Sequence, residues 1–202
     1  MDNDKPNAKP SEMNPEDLPD VRAFNDEFTR DFLQSTEETR PGYYPFLSGT
    51  GAYKMDFPAG GIVGEKGYGI IKEKKEGYLI GIENEDGTGS SITINYYSHP
   101  KADDIEIHLE QLEDRLGTDV EFKKMNSDGD KQLLYFTDAG LDGEFYTFAG
   151  YVQNEVNNGG IEVIYNTRCI DSEEKCTERK EKEKERVIKW MKSIQFVNKD
   201  RK

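Results

Sequence analysis

The sequence predicts an α+β domain in which amphipathic helices cover a mostly antiparallel sheet. Stretches of alternating apolar and polar residues indicate strands, and short turns join most of them, so neighbouring strands are expected to run antiparallel. Three segments carry apolar residues at helical spacing and are able to cover one face of such a sheet. No regular alternation of strand and helix is present, which argues against a doubly wound nucleotide-binding fold.

The N-terminal 40 residues predict a tether followed by an extra helix. Residues 1–19 contain four prolines and several acidic residues, so we expect a disordered tether. This tether is either the natural start of a cytosolic protein or the linker that remains after a signal peptide and an anchor are removed. Within residues 20–40 a helix is predicted with Asp20 as its N-cap. Its apolar stripe consists of Val21, Phe24, Phe28 and Phe32.

Residues 41–198 are predicted to form a single α+β domain. Four strands are expected first, at residues 53–57, 68–74, 78–83 and 90–98. A helix over residues 103–116 follows and ends at Gly117. Four more strands are expected at residues 120–125, 131–138, 143–153 and 160–169. The turns are marked by Lys-Glu-Gly at residues 75–77 and by Asp86-Gly87, Asp128-Gly129, Asp142-Gly143 and Asn158-Gly159.

The last predicted helix begins near Thr177, its expected N-cap. Its first half, "ERKEKEKER", has no apolar residue and is expected to face solvent. Its second half has an apolar face that is expected to dock on the sheet, formed by Val187, Ile188, Met191 and Ile194.

Charge and hydropathy exclude some classes of function. The chain has 27 lysines and arginines against 41 acidic residues, a net charge of −14. Such a field repels phosphate backbones, so we expect no nucleic-acid partner. Because no run of 18 apolar residues is present, we expect membrane attachment only through a lipid anchor that is absent from this chain. We expect a monomer.

Residue patterns typical of catalysis are sparse. His99 and His108 are the two histidines, and each is expected to pack or to be solvated rather than to act as a base or ligand. The glycine-rich residues 59–69 lack the spacing of a phosphate-binding loop. Residues 126–131 begin like a calcium loop, but the twelfth position is Thr137 instead of glutamate. We therefore predict no catalytic residue, no metal and no cofactor.

The segment "RPGYYPF", residues 40–46, concentrates aromatic side chains in a predicted loop. If this loop is exposed, Tyr43, Tyr44 and Phe46 are the candidate surface for binding a ligand or partner. The alternative is that these side chains fold back and cap the core. Folding back is favoured, because large aromatic side chains are costly to leave in water.

The two cysteines of the chain, Cys169 and Cys176, flank the polar segment "IDSEEK". A zinc site needs four ligands, and no nearby histidine completes the set. A redox motif prefers two intervening residues rather than six. A disulfide or two free thiols remain, and we predict the disulfide. It implies an oxidising, extracytoplasmic compartment.

Several motifs along residues 50–198 carry a resemblance to a known family. They are the opening "YKMDFPAG", the mid-chain helix "ADDIEIHLEQLEDRLG", a block of antiparallel strands and the closing "VIKWMKSIQFV". In this order they resemble the PsbP-like fold family, named for an extrinsic photosystem protein and including a Ran-binding nuclear import factor. The resemblance implies a binding or assembly module, and no functional residue is carried over from it.

An acidic tether before a small domain is also similar to mature extracytoplasmic lipoproteins of Gram-positive bacteria of the Bacillus type. In those proteins an N-terminal cysteine carries the lipid. The resemblance therefore implies an anchor upstream of this chain and a signal peptide that has been removed.

Three hypotheses about function follow. The first is a non-enzymatic binding or accessory module at the outer face of a bacterial cell membrane, with a protein or cell-envelope ligand as its partner. The second is a carboxylate-dependent hydrolase of the cell envelope, which needs two close acids in a cleft. The third is a cytosolic adaptor protein, which free cysteines would favour.

Overall fold

A computed structural model describes residues 8–99, 104–127, 131–142 and 144–197 of the 202-residue chain. Within these ranges the chain forms eleven strands and four α-helices, which confirms the predicted α+β class. The helices are α1 (Arg22–Asn25), α2 (Glu27–Arg30), α3 (Ile105–Leu116) and α4 (Glu173–Lys192). The strands are β1 (Tyr43–Leu47), β2 (Tyr53–Pro58), β3 (Gly61–Val63), β4 (Gly69–Ile71), β5 (Lys75–Glu83), β6 (Gly89–Ser98), β7 (Lys123–Asn126), β8 (Gln132–Asp142), β9 (Phe145–Asn154), β10 (Gly159–Arg168) and β11 (Gln195–Phe196). None of the helices in the described ranges is long and apolar enough to cross a membrane.

Eight strands form the main sheet, in the order β3–β5–β6–β10–β9–β8–β7, and β4 pairs with β5 on the same side as β3. The strand pairs of this sheet are antiparallel, as the short predicted turns required. The other three strands form a small antiparallel sheet in the order β1–β2–β11. Side chains of both sheets belong to one large core. Strand β11 pairs with β2 and forms one edge of the small sheet.

The helices α3 and α4 cover opposite faces of the main sheet. Phe148 and Val152 of β9 belong to the large core that also contains the apolar face of α4 and the small sheet. The alternate residues Ala149 and Tyr151 pack with Leu112 of α3. Because successive side chains of a strand point to opposite faces, the sheet is covered on both sides where β9 and β10 lie.

The N-terminal segment differs from the single helix predicted within residues 20–40. It contains two four-residue helices, α1 and α2, and the N-cap of α1 is Val21 rather than Asp20. Asp26 separates them, because its carboxylate accepts a hydrogen bond from the Thr29 backbone N–H (2.8 Å) and so begins a new helix. Local capping therefore overrides the continuous apolar stripe.

The predicted boundaries of the tether and the domain also change. Residues 8–19 of the predicted tether form two short 3₁₀ helices, Pro10–Glu12 and Pro15–Asp17, and Pro10 is buried. Residues 1–7 lie outside the described residues. Phe24 and Phe32 belong to the large core, so the segment of residues 20–40 is part of the same packed unit as residues 41–197.

Several strand and helix ends differ from the prediction. β1 and β3 were not predicted, and residues 75–77, predicted as a turn, begin β5. Helix α4 begins with Ser172 as its N-cap rather than Thr177, so Cys176 lies in its first turn. Gly117 ends α3 as predicted, with a positive φ of 66°. The predicted turns at residues 128–129 and 142–143 include positions outside the described residues.

The predicted disulfide between Cys169 and Cys176 is present. Both cysteines are buried and belong to the large core, so the bridge connects the end of β10 to the first turn of α4. Around it, the Tyr146 hydroxyl donates a hydrogen bond to the Cys176 carbonyl oxygen, and the Cys169 N–H donates to the Glu144 carbonyl oxygen (2.7 Å). These contacts fix the strand–helix junction from both sides.

Removal of this disulfide is expected to lower the free energy of unfolding by about 2.5 kcal/mol, because the bridge closes a short loop in the unfolded chain. The measurement is urea denaturation of the Cys169→Ala/Cys176→Ala variant beside the oxidised chain. A reductant provides the control. It should lower the urea midpoint of the oxidised chain and leave the urea midpoint of the variant unchanged.

Alkaline pH is expected to destabilise the fold through buried tyrosines. Burial raises the pKa of Tyr165, on β10 beside Trp190, from its usual 10 to about 12. Below pH 10 the phenol is neutral in both folded and unfolded chains, so its contribution to stability is fully present. Between pH 10 and 12 the unfolded chain ionises first, and about 2–3 kcal/mol is lost. Urea denaturation at pH 8, 10 and 11 should show this decline, and Tyr165→Phe should reduce it.

Candidate functional site

The outer face of β5 and β6 is the part of the main sheet that α3 leaves open. Along β5 the even-numbered residues from 76 to 82 are buried, whereas Leu79 on the opposite face is 45% exposed. The neighbouring side chains on this face surround a shallow cavity of about 480 Å³. We call it the open sheet face and define it by Leu79, Thr93, Asn95 and Tyr97; Ile71 and Lys75 line the end of the cavity next to the turn between β4 and β5.

A buried ionic cluster borders the open sheet face where α3 crosses the sheet. The Glu162 carboxylate on β10 lies 2.7 Å from His108 Nδ1 and 2.6 Å from Arg115 Nη1, both on α3. The Tyr97 hydroxyl on β6 donates to the same carboxylate at 3.4 Å. Glu162 is 1% exposed, so these side chains replace the hydrogen bonds that water would otherwise give to its carboxylate. The cluster joins α3 to β10 and β6.

The electrostatics of the cluster keep the Arg115 side chain charged and the Tyr97 side chain neutral. Burial disfavours the charged guanidinium of Arg115, but the hydrogen bond with Tyr97 and the charge of Glu162 outweigh it and raise the arginine pKa. Burial, together with the negative charge of Glu162, raises the pKa of Tyr97, so its phenol stays neutral and able to donate. Tyr97 is therefore fixed at the border between the cluster and the open sheet face.

His108 contributes packing as well as a hydrogen bond. Its ring stacks on Tyr151 of β9, with centroids 4.5 Å apart and planes 8° apart. Its Nε2 atom is buried and has no hydrogen-bond partner among the residues that the structure describes. The histidine is thus packed, as predicted, and also serves as a partner of Glu162, which the sequence did not predict.

A sequence signal for the cluster exists in hindsight. His108 and Arg115 are seven residues apart, so they lie on the same side of α3. Glu162 interrupts the otherwise apolar start of β10, "GGIEVIY", which is unusual for a buried strand. What the sequence lacks is the information that these three positions meet.

A second buried carboxylate, Glu76, lies on the opposite face of the main sheet. It accepts hydrogen bonds from the Gly49 N–H (2.8 Å), the Thr50 hydroxyl (2.7 Å) and the Tyr68 hydroxyl (3.0 Å). Burial and this nearby charge raise the pKa of Tyr68. Glu76 pairs in register with residue 96, and Glu162 with residue 95, so their side chains point to opposite faces of the sheet. The two acids do not form a catalytic pair.

The aromatic candidates of the sequence are not an exposed platform. Tyr44 and Phe46 lie in β1 and are 5% and 1% exposed, which contradicts their interpretation as a binding surface. They point into the core because alternate residues of β1 face it. Tyr43 is partly buried under the Arg40 guanidinium, whose central carbon lies 3.5 Å from the ring centroid.

Metal ligands do not cluster in the described part of the chain: no group of three or more histidine, cysteine, aspartate or glutamate side chains there is able to hold an ion. Residues 126–131, which begin like a calcium loop but were not predicted to bind calcium, include positions 128–130, which lie outside the described residues. His99 lies beside Tyr97, with ring centroids 6.0 Å apart.

Comparison with known proteins gives a consistent pattern. A family model described as "Putative lipoprotein YvcA" matches residues 19–195. A Bacillus subtilis protein of the same description is 30% identical over 211 residues, covering 97% of this chain and 85% of the relative.

One of the solved structures that match shares the fold at low identity. A mutant of protein Mog1 superposes with a TM-score of 0.52 at 12% identity, covering 77% of this chain and 96% of that one. The cyanobacterial PsbP of Synechocystis gives a TM-score of 0.43 at 14% identity, covering 78% and 94%. The resemblances stated from the sequence, to Bacillus lipoproteins and to this fold, are confirmed.

Proposed function

This chain belongs to the family described as "Putative lipoprotein YvcA", and from that premise we propose that it is a non-enzymatic binding or accessory module tethered at the outer face of a bacterial cell membrane. The observation that carries the binding role is the open sheet face. Leu79 and its neighbours on this face are left uncovered, whereas the same sheet is packed on both faces where β9 and β10 lie. A protein or cell-envelope ligand docks there.

The proposed address is supported by the cysteines and by the relative. Disulfides persist in oxidising compartments and are rare in the cytosol, where thiols stay reduced. The Cys169–Cys176 bridge is therefore more consistent with an extracytoplasmic module than with a cytosolic adaptor. The description of the Bacillus relative as a lipoprotein agrees with a lipid anchor upstream of this chain.

The form of the open sheet face favours binding over catalysis. It combines the apolar side chain of Leu79 and the ring of Tyr97 with the polar side chains of Thr93 and Asn95. Mixed surfaces of this kind are typical of protein interfaces. Glu76 and Glu162, the buried acids among the described residues, each have structural hydrogen-bond partners and lie on opposite faces. A hydrolase would instead need two neighbouring acids in one cleft.

Site-specific cross-linking in cells tests this proposal. A photo-crosslinking amino acid replaces Leu79 in the full-length protein, cells are irradiated, and membrane and cytosolic fractions are separated. We expect a discrete adduct in the membrane fraction. The adduct should be lost when Thr93→Arg is added, because the arginine fills the cavity next to position 79.

The matched control places the same amino acid at Glu185, an exposed position on α4 far along the chain from the open sheet face. It should give no adduct of that size. A protein found only in the cytosolic fraction, or identical adducts from both positions, would contradict the proposal.

A further inference from the structure

The hairpin between β4 and β5 projects apolar and basic side chains into solvent. Ile70 and Ile71 are 40% and 62% exposed, the latter being the most exposed large apolar side chain among the described residues. Directly after them come Lys72, Lys74 and Lys75, all exposed. We call residues 70–75 the hairpin tip. Its one acidic residue is Glu73.

The net charge of the hairpin tip is opposite in sign to the net charge of the whole protein. Three lysines stand against one glutamate in the hairpin tip, whereas the chain carries a net charge of −14. Exposed aliphatic side chains next to lysines are the composition of segments that lie in the boundary between lipid headgroups and acyl chains. Lysines near an anionic membrane surface each add to binding, and the aliphatic side chains leave water.

We propose that the hairpin tip contacts an anionic lipid membrane, with its lysines at the headgroup phosphates and Ile70 and Ile71 in the headgroup–acyl boundary. This inference rests on the proposed tethering of the module at a membrane. The acidic body of the protein is repelled by the same surface, so the hairpin tip is the part that approaches. The contact therefore sets the orientation of the module, with the other faces directed away from the lipid.

The path of the N-terminal segment supports this orientation. The rings of Phe28 and Phe32 contact Tyr68, the residue immediately before β4, at centroid distances of 5.4 and 5.2 Å. The Val63 N–H of β3 donates to the Thr29 hydroxyl at 2.9 Å. The 3₁₀ helix Pro10–Glu12 packs on α2. The N-terminal segment thus docks on the same edge of the main sheet as the hairpin tip, which places the proposed anchor on the same side as the proposed lipid contact.

The backbone of the hairpin tip is held in an unfavourable turn. The Lys74 N–H donates to the Ile71 carbonyl oxygen at 3.0 Å, and both central residues have positive φ, 49° at Lys72 and 55° at Glu73. Asparagine and glycine are the residues that normally occupy these positions. Backbone strain of this kind is concentrated at functional sites, and here it points two charged side chains into solvent.

A protein partner is the competing occupant. The observations favour a membrane because the apolar part of the hairpin tip consists of two adjacent aliphatic side chains on a narrow turn, without the aromatic anchors typical of the centre of protein interfaces. The open sheet face, with its tyrosine and its cavity, has the features of an interface, and the hairpin tip does not share them.

Vesicle sedimentation with the 202-residue chain tests the inference. Vesicles contain phosphatidylcholine alone or with about one-third phosphatidylglycerol, in about 0.1 M salt, where exposed charges more than about 10 Å apart are screened. We expect binding to the anionic vesicles at least about tenfold above binding to neutral ones. Each lysine is expected to contribute roughly a fivefold factor, so Lys72→Glu/Lys74→Glu/Lys75→Glu should abolish the difference.

A second variant separates lipid from soluble anions. Ile70→Ser/Ile71→Ser keeps the charges and should still lower vesicle binding about tenfold or more, because the aliphatic side chains no longer enter the lipid. Unchanged vesicle binding by this variant would overturn the inference, since a purely electrostatic site for phosphate does not need the isoleucines.

The matched charge control is Lys175→Glu/Lys182→Glu/Lys189→Glu, three exposed lysines of α4. It makes the same change in net charge and should keep most of the binding. An equal loss in the control, or no binding of the parent chain to anionic vesicles, would overturn the inference and leave the hairpin tip to a protein partner. Circular dichroism and thermal melting confirm that each variant is folded. The membrane fraction test described above is independent, so a soluble chain that fails to bind vesicles would not refute the tethered module.

Discussion

Replacing Glu162 with leucine is expected to lower the free energy of unfolding by about 3 kcal/mol. The carboxylate is the common acceptor for two side chains of α3, and its removal leaves the buried His108 Nδ1 without a partner. Arg115 keeps access to water, which places the effect at the low end for a broken buried pair. Urea denaturation of the purified variant measures it.

Two variants make this result specific. Glu162→Gln retains one acceptor oxygen for the cluster and is expected to lose less than Glu162→Leu. Glu144→Leu removes an ion pair with Arg168 in which both side chains are about half exposed, and it should change stability by less than about 1 kcal/mol. Equal effects of Glu162→Leu and Glu144→Leu would show that the cluster does not hold α3 on the sheet.

Replacing Trp190 with alanine is expected to have the largest effect, about 3–5 kcal/mol. The side chain is 1% exposed and is the largest among the fully buried ones in the described residues. It packs edge-on against Tyr165 of the main sheet, and its Nε1–H donates to the Asp56 carbonyl oxygen of β2 at 2.8 Å. It therefore connects α4, the main sheet and the small sheet in one contact.

The conservative variant Trp190→Phe keeps most of the buried area and loses the hydrogen bond to Asp56, so it should cost about 1–2 kcal/mol. Lys182→Ala on the exposed side of α4 is the matched control and should be within about 0.5 kcal/mol of the parent chain. If Trp190→Ala destabilised the protein no more than Lys182→Ala, this result would contradict the packing of Trp190 between the two sheets.

The parts of the fold that depend on local periodicity follow from the sequence. The apolar face of α4, including Val187 and Met191, docks where the pattern predicts, because a 3.6-residue period leaves one face to bury. Strands β5, β6, β8, β9 and β10 are found near their predicted positions for the same kind of reason. The short β1 was missed because proline and glycine near it are typical of loops.

The N-terminal helices show where the periodicity was insufficient. The stripe from Val21 to Phe32 has helical spacing, yet Asp26 competes for backbone N–H groups and divides the segment. The burial of Phe24 and Phe32 comes from packing against residues distant in sequence, such as Tyr44 and Phe46. A local pattern predicts that a side chain is buried, but it does not predict which distant residues the side chain packs against.

The candidate surface could not be predicted from the sequence at all. The open sheet face exists because α3 lies over β9 and β10 and leaves β5 and the part of β6 around Thr93 and Asn95 uncovered, which is a consequence of strand order. The acid in β10 was visible as an exception in an apolar run, but its partners on α3 are about 50 residues away in sequence. Sequence patterns therefore indicated the disulfide, while locating the candidate surface required the topology.

The redox state of Cys169 and Cys176 in living cells tests the central claim, an extracytoplasmic disulfide-stabilised module, most directly. Cells that produce the full-length protein are quenched with acid, denatured without reductant and treated with a maleimide reagent that adds mass at each free thiol. The account predicts no addition to these two cysteines until a reductant is supplied, after which both react. Reaction of both thiols without reductant would contradict it, because it would place the chain in a reducing compartment.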